Sequence, residues 1–317
     1  MPQFDRFELD RRAREYGFVR DTFEKVLRLK LILAFLNQHE YLKDHLLLKG
    51  GTAINLTVFR LPRLSVDIDL DFTPNEPREE MLSSREKIDG IIKSYMQNEG
   101  YDLSPNSRFY HSLDSYYYNY VNAAGNRDMI KLELNYSLRS HILAAEERCF
   151  TTDAFGENIK VKTLDPMEIF AAKANALLSR AAARDLYDFD KMIHEDLFSE
   201  EADLFRKCII FYAAVSAEKI NKHFDPQMID TITFQKIRRD LFPVLRQEER
   251  SRQFDVQTRI DEVKQYLNSL MQLTDSEMEF IKRFEMKEYR PELLFNRADI
   301  LERIADHPMA LWKCRNS

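Results

Sequence analysis

At 317 residues, with 44% hydrophobic and 32% charged residues against a usual charged share of about 25%, the chain has length for two lobes and a heavily charged surface. A net charge of −6 excludes a protein that coats nucleic acid by its overall charge, though not one with a local basic groove. Three cysteines (Cys149, Cys208 and Cys314), far apart and without CxxC spacing, exclude a disulfide framework and a cysteine zinc site, and fit a reducing cytoplasm.

The opening stretch MPQFDRFELDRRAREYGF is charged from its start, unlike a secretory signal. No apolar run approaches the roughly 18–20 residues that span a bilayer, so no membrane is expected. Residues 20–42 place Phe23, Val26, Leu27, Leu33 and Leu36 near helical spacing. His45–Lys49 is a short apolar run ending at Gly50-Gly51, which predicts a strand running into a tight turn, and Thr52–Phe59 predicts a short helix. Ser65–Phe72 alternates: Val66, Ile68, Leu70 and Phe72 face one side, and Asp67, Asp69 and Asp71 the other. A loop over Pro74–Glu80 precedes a helix over Met81–Glu99. Tyr116–Val121 and Met129–Leu134 predict a hairpin around Ala123–Asn126. Asp165-Pro166-Met167-Glu168 carries the acid, proline and glutamate of a capping-box helix start, and from there onward the patterns are almost all helical. The expected fold is α+β, with residues 1–160 as N-terminal helices and a mixed sheet, and 161–317 as an all-helical lobe.

The chemistry concentrates in KGGTAINL (49–56) and RLSVDIDLDF (63–72). Three carboxylates on one face of a strand whose other face is apolar repel one another where screening is poor, and a divalent cation resolves that conflict. Mg²⁺ takes hard oxygen ligands, one or two carboxylates plus substrate phosphates, and two such ions can serve both the attacking and the leaving oxygen. Gly50-Gly51-Thr52 allows close backbone approach to a phosphate; the helix start behind it offers N–H groups, and Thr52 a hydroxyl. Alone, a GG turn is usually only a turn, and an acidic strand is often an edge protected against aggregation. Their order and spacing together favour a metal–phosphate site. Glu133, in the alternating KLELN run, is the candidate third carboxylate.

At these residues the sequence resembles the AbiEii/AbiGii toxin family of DNA polymerase β-like nucleotidyltransferases, which includes the MenT-type enzymes. The matching stretches are KGGTAINL, RLSVDIDLDF, KLELNY (131–136), the run from Lys173 through Arg180 to Arg184-Asp-Leu-Tyr-Asp188, and the tail HPMALWK (307–313). The resemblance implies a nucleotidyltransferase palm in which Asp67, Asp69 and Glu133 bind Mg²⁺ (Mn²⁺ being the alternative) and an NTP is the substrate. Asp71 falls two residues past the family pair and stays outside the core site. The resemblance also implies a cytoplasmic toxin–antitoxin and phage-defence setting, a separately encoded antitoxin, and, as in MenT-type relatives, the 3′ end of a tRNA as acceptor.

In the helical lobe, Lys173 and Arg180 lie on one helix face seven residues apart, and Asp185 and Asp188 at i, i+3. Charge pairs at such spacing usually serve solubility. The family match instead makes Lys173 a triphosphate contact and Asp185 or Asp188 the group that orients it, Asp185 being preferred; Arg180 joins them at the nucleotide. Lys236, Arg238, Arg239, Arg246, Arg250 and Arg252 form an island of six basic against three acidic residues within 236–252, a candidate RNA grip or a solvated face. The Tyr116–Tyr118 run and Tyr120 suit base stacking or strand packing. Transfer to a small molecule or a protein, and a catalytically silent nucleotide-binding module, are the competing readings; the intact Asp67, Asp69, Glu133 and Lys173 oppose the last.

Overall fold

A computed structural model of the chain describes residues 4–216, 220, 224–250 and 254–315. They form two compact units, one from the described residues of 1–139, 145–164 and 244–250, the other from those of 140–144, 165–243 and 251–317.

The first unit begins with α1 (Arg6–Glu15), which Asp5 caps by accepting the Glu8 N–H at 2.8 Å, and α2 (Arg20–Gln38), whose Phe23, Val26, Leu27, Leu33 and Leu36 are all buried. A short α3 (Leu42–His45) leads into β1 (Leu46–Lys49), α4 (Gly50–Thr57), β2 (Asp67–Phe72) and α5 (Arg78–Asn98). Beyond lie β3 (Asp102–Leu103), β4 (Arg108–Phe109), β5 (Leu113–Val121), β6 (Arg127–Asn135), β7 (Glu146–Cys149) and β8 (Lys160–Thr163). Among the described residues these strands make one mixed sheet in the order β3-β5-β6-β2-β1-β8-β7, with β4 also on β5. β2 is interior, antiparallel to β1 and parallel to β6. The predicted hairpin is β5–β6, turned through Asn122–Asn126 with Gly125 at φ 84°. Tyr116, Tyr118 and Tyr120 are buried packing residues, whereas Tyr117 is half-buried opposite Lys131.

One buried ion pair ties α2 to that hairpin. Arg28 meets Glu24 at 2.6 Å, lies 4.4 Å over the Tyr120 ring and donates to the Tyr101 hydroxyl, while Glu24 accepts the Ala123 N–H. Buried charges of this kind persist only when both partners and the remaining lone pairs are satisfied.

The second unit contains, among its described residues, α6 (Pro166–Arg180), α7 (Ala183–His194), α8 (Ala202–Ser216), α9 (Phe234–Asp240), α10 (Val256–Leu270), α11 (Asp275–Glu285), α12 (Ala298–Ile304) and α13 (Pro308–Arg315), with short 3-10 turns. Fold class is thus α+β, as the alternation and the later helical periodicity predict. Asp165 caps α6 by accepting the Met167 N–H at 2.8 Å, and Pro166 takes the first helical position. The capping box itself is a correction. Glu168 is fully buried and accepts from the Ile142 and Leu143 N–H groups and the Tyr212 hydroxyl instead of reaching back to the cap. Two otherwise orphaned N–H groups claim that carboxylate first. A complete capping box occurs at α11, between Thr274 and Glu277.

Candidate active site

Lys49 ends β1 and is also the cap residue of α4, so strand passes into helix without a loop. Gly50 makes that possible at φ 71°, a left-handed conformation that costs an L side chain about 1–2 kcal/mol. Space adds a second requirement, because a Cβ on Gly50 would overlap the Asp69 carboxylate. Gly51 has the Ser65 hydroxyl and the Arg63 guanidinium beside it. The turn therefore brings the start of α4, where N–H groups lack intrahelical partners, against the acidic strand. Gly50→Ala should strain the backbone and displace Asp69 together. Transfer activity should fall roughly 10²-fold, the scale of a misplacement by about 1 Å. Wild-type steady-state rates in that variant would show that the close approach has no bearing on the reaction.

Register collects the polar side chains. Asp67 lies opposite Lys131, Asp69 opposite both Lys49 and Glu133, and Asp71 opposite Leu47 and Asn135. Asp71 is buried and pairs with Lys49 at 2.5 Å. Glu133 accepts from the Ser115 hydroxyl at 2.7 Å and pairs with Lys131 at 2.8 Å. Thr52 is fully buried and donates its hydroxyl to the Asp67 carbonyl. That hydroxyl pins the start of β2, so the phosphate contact expected of it is already committed to backbone.

Burial, opposed by Lys49 but reinforced by Asp67 and Glu133, pushes the Asp69 carboxyl up to about 6. Burial also raises Asp71 against the pull of Lys49. Burial alone would raise Glu133 as well, but hydrogen bonds from Lys131 and Ser115 hold it below the ordinary value. Asp67, Asp69, Asp71 and Glu133 outnumber Lys49 and Lys131 on this face, a surplus of carboxylates that a divalent cation would offset. The donors are hard carboxylate oxygens, the type Mg²⁺ and Mn²⁺ take, so the residues fit such an ion. In this structure Glu133 is turned to Lys131 and Ser115, and the three carboxylates do not converge within 4.8 Å.

In the helical unit, α6 ends at Ala181 in the left-handed conformation and α7 starts two residues later. That corner brings Lys173 to 2.9 Å from Asp185 and 2.8 Å from Asp188, all three side chains being buried. Arg180 pairs with Asp185 at 2.9 Å, yet its side chain remains 68% exposed. Burial would lift the Asp185 carboxyl, but the charges of Lys173 and Arg180 outweigh it and hold it at about 2. The spacing argument left Asp185 and Asp188 as alternatives; both hold the lysine.

The AbiEii nucleotidyl transferase toxin family, described as a type IV toxin–antitoxin system, matches residues 33–287 of the chain. The chain belongs to this family. It is therefore a nucleotidyltransferase toxin of a toxin–antitoxin system, and family membership implies an NTP substrate and an antitoxin. Its fold is similar to that of MenT4, a nucleotidyltransferase toxin from Mycobacterium tuberculosis H37Rv. The TM-score is 0.63 at 16% identity, over 96% of this chain and 99% of that one, a likeness of fold. Among curated proteins no sequence matches.

Within this AbiEii chain, the polar face holds three residues that the motif reading did not select: Lys49, Ser115 and Lys131. Their signal is visible only in strand register, since each lies across from or beside an acidic residue of another strand. The tail motif HPMALWK is structural. His307 is buried against Phe211 and receives the Ala310 N–H, and Lys313 donates to the Ala214 carbonyl. The basic island is dispersed. Lys236 donates to the Ala181 carbonyl in the helical unit, whereas Arg246 and Arg250, in the sheet unit, donate to the Leu61 and Leu245 carbonyls. Arg238 and Arg239 are exposed, Arg239 beside Asp240, and Arg252 lies outside the described residues. No helix among the described residues is long and apolar enough to cross a membrane, and the cysteines are unpaired.

Proposed function

We propose that this toxin transfers a nucleoside monophosphate from an NTP to an RNA acceptor, the 3′ end of a tRNA, with Asp67, Asp69 and Glu133 holding Mg²⁺ or Mn²⁺. The observation that carries the metal reading is Asp69, driven to about 6 by burial and two neighbouring carboxylates beside a strand-to-helix turn that only glycine permits. When bound, the ion would neutralise phosphate charge and favour departure of pyrophosphate. Gly50 and Gly51 let backbone approach the phosphates, Thr52 holds Asp67 in place, and Lys49 and Lys131 keep the remaining carboxylates from repelling the nucleotide. Resemblance to the family supports Lys173, oriented by Asp185 and Asp188, and the exposed Arg180 as nucleotide contacts. An RNA acceptor is supported by the resemblance to MenT-type enzymes and by exposed Arg238 and Arg239. Unpaired cysteines fit action in the cytoplasm.

Incubation with each of the four α-labelled NTPs, total RNA and total protein tests both claims. Label in tRNA is the expected result; label in protein or small molecules would remove the acceptor claim, and no label in any fraction would remove the transferase chemistry. Reversing Arg238 and Arg239 to Glu should then lower the salt dependence of RNA labelling by roughly 0.7–0.9 log units per lost phosphate contact, with NTP affinity unchanged. Matching salt slopes and rates would discharge both arginines from the grip.

A further inference from the structure

We propose that Asp190, His194 and Glu262 form a second metal site, on the helical unit, that takes a first-row transition ion such as Zn²⁺. Asp190 and His194 lie one turn apart on α7, and Glu262 projects from α10, which packs along α7. One potential ligand atom from each lies within 4.8 Å of the others.

The decisive atom is Asp190 Oδ1. Asp190 is 1% exposed, and Arg259 holds its Oδ2. Oδ1 has no hydrogen-bond partner among the described residues. Buried carboxylate oxygens are nearly always satisfied, so an orphan facing a cluster of other ligand types calls for a missing group. His194 does not supply it as a hydrogen-bond donor: its Nδ1 is 3.6 Å from Oδ1, too long for a bond. That nitrogen is instead 2.9 Å from the Asp190 backbone carbonyl, an acceptor, and so carries the proton. Nε2, the other ring nitrogen, lies 3.6 Å from Glu262 Oε2. A cation held by Nε2, a Glu262 oxygen and the orphaned Asp190 Oδ1 would satisfy all three. A histidine whose other nitrogen donates to a backbone carbonyl, and a carboxylate braced by an arginine, are the supporting contacts that metal ligands usually have.

Chemistry separates this site from the palm. An imidazole nitrogen with two carboxylates suits Zn²⁺ and its neighbours, whereas Mg²⁺ prefers an all-oxygen set. His194 and Glu262 are exposed, so the ion has a path in and positions left for water.

The test uses chelator-stripped full-length protein with Cys149 and Cys314 replaced by serine, in excess Mg²⁺ to saturate the palm. Calorimetric titration with Zn²⁺ alone should give one site per chain that Mg²⁺ does not displace, together with a Zn²⁺-dependent rise in Tm. His194→Ala and Glu262→Gln change exposed side chains and leave the fold intact by circular dichroism. Each should weaken Zn²⁺ binding by about 10-fold or more and suppress the Tm rise. Equal stoichiometry and affinity in wild type and His194→Ala, or no Zn²⁺ binding to wild type, would overturn the site.

Discussion

Replacing Asp69 with asparagine, alone or together with Asp67→Asn, should abolish nucleotide transfer in a protein that melts at higher temperature than wild type at neutral pH. The two effects share one cause. Asp69 is held at about 6, above the ordinary 3.8, because burial and the charges of Asp67 and Glu133 disfavour its ionised form. Between pH 3.8 and 6 the folded chain keeps a proton that the unfolded chain has lost, so stability falls as pH rises through that window. The whole penalty is present above about 6, on the order of 1–3 kcal/mol. Asparagine removes it, so the gain in Tm should be absent below pH 3.8 and complete above 6. Mg²⁺ should narrow the gap by compensating the wild-type charges. Activity should fall by 10²–10³-fold or more, the scale for losing a preorganised electrostatic contact. A folded double variant that transfers nucleotide at near wild-type rate, or a Tm difference indifferent to pH, would refute the assignment.

Lys173→Ala should be the most damaging single change in the helical unit. It strips the shared cation from Asp185 and Asp188, both buried, and breaking a buried pair from one side typically costs about 3–5 kcal/mol. Asp185 is held at about 2, so its contribution is present above the ordinary 3.8 and lost as pH falls toward 2; Lys173→Ala should flatten that acid limb. Loss of activity in this variant would therefore say nothing by itself about phosphate binding. Lys173→Met with Asp188→Asn separates the roles, because Asp185 keeps Arg180 and Asp188 no longer carries charge. Compared with Asp188→Asn alone, it should show a raised KM for NTP at near-normal Tm. An unchanged KM and kcat would make Lys173 a purely structural cation. Lys173→Arg should rescue poorly, since a planar fork replaces a compact charge between two carboxylates.

Much of this was legible in one dimension because period and composition report local geometry directly. The alternation of Val66 to Phe72 is a statement about which side chains share a face, and β2 carries Ile68, Leu70 and Phe72 inward as that period requires. Gly50 marks a left-handed backbone that glycine adopts without strain, and Asp165-Pro166 marks a helix start, both being local φ and hydrogen-bond effects. Strands such as Lys160–Thr163 and Glu146–Cys149 are too short to show a period; the first pairs with the open edge of β1 and the second with the first. Register was equally out of reach. Nothing in the order of residues says that Lys49 faces Asp69, or that Glu133 is shared between Ser115 and Lys131. Competition for buried hydrogen bonds decided the rest: Thr52 went to the Asp67 carbonyl, Glu168 to the Ile142 and Leu143 amides, and Lys236 to the Ala181 carbonyl. Sequence alone determined which residues carry charge and which face of an element each occupies. Only the tertiary structure decided which of those charges are already spoken for, because an unsatisfied buried polar group takes its partner from whatever segment the fold brings near.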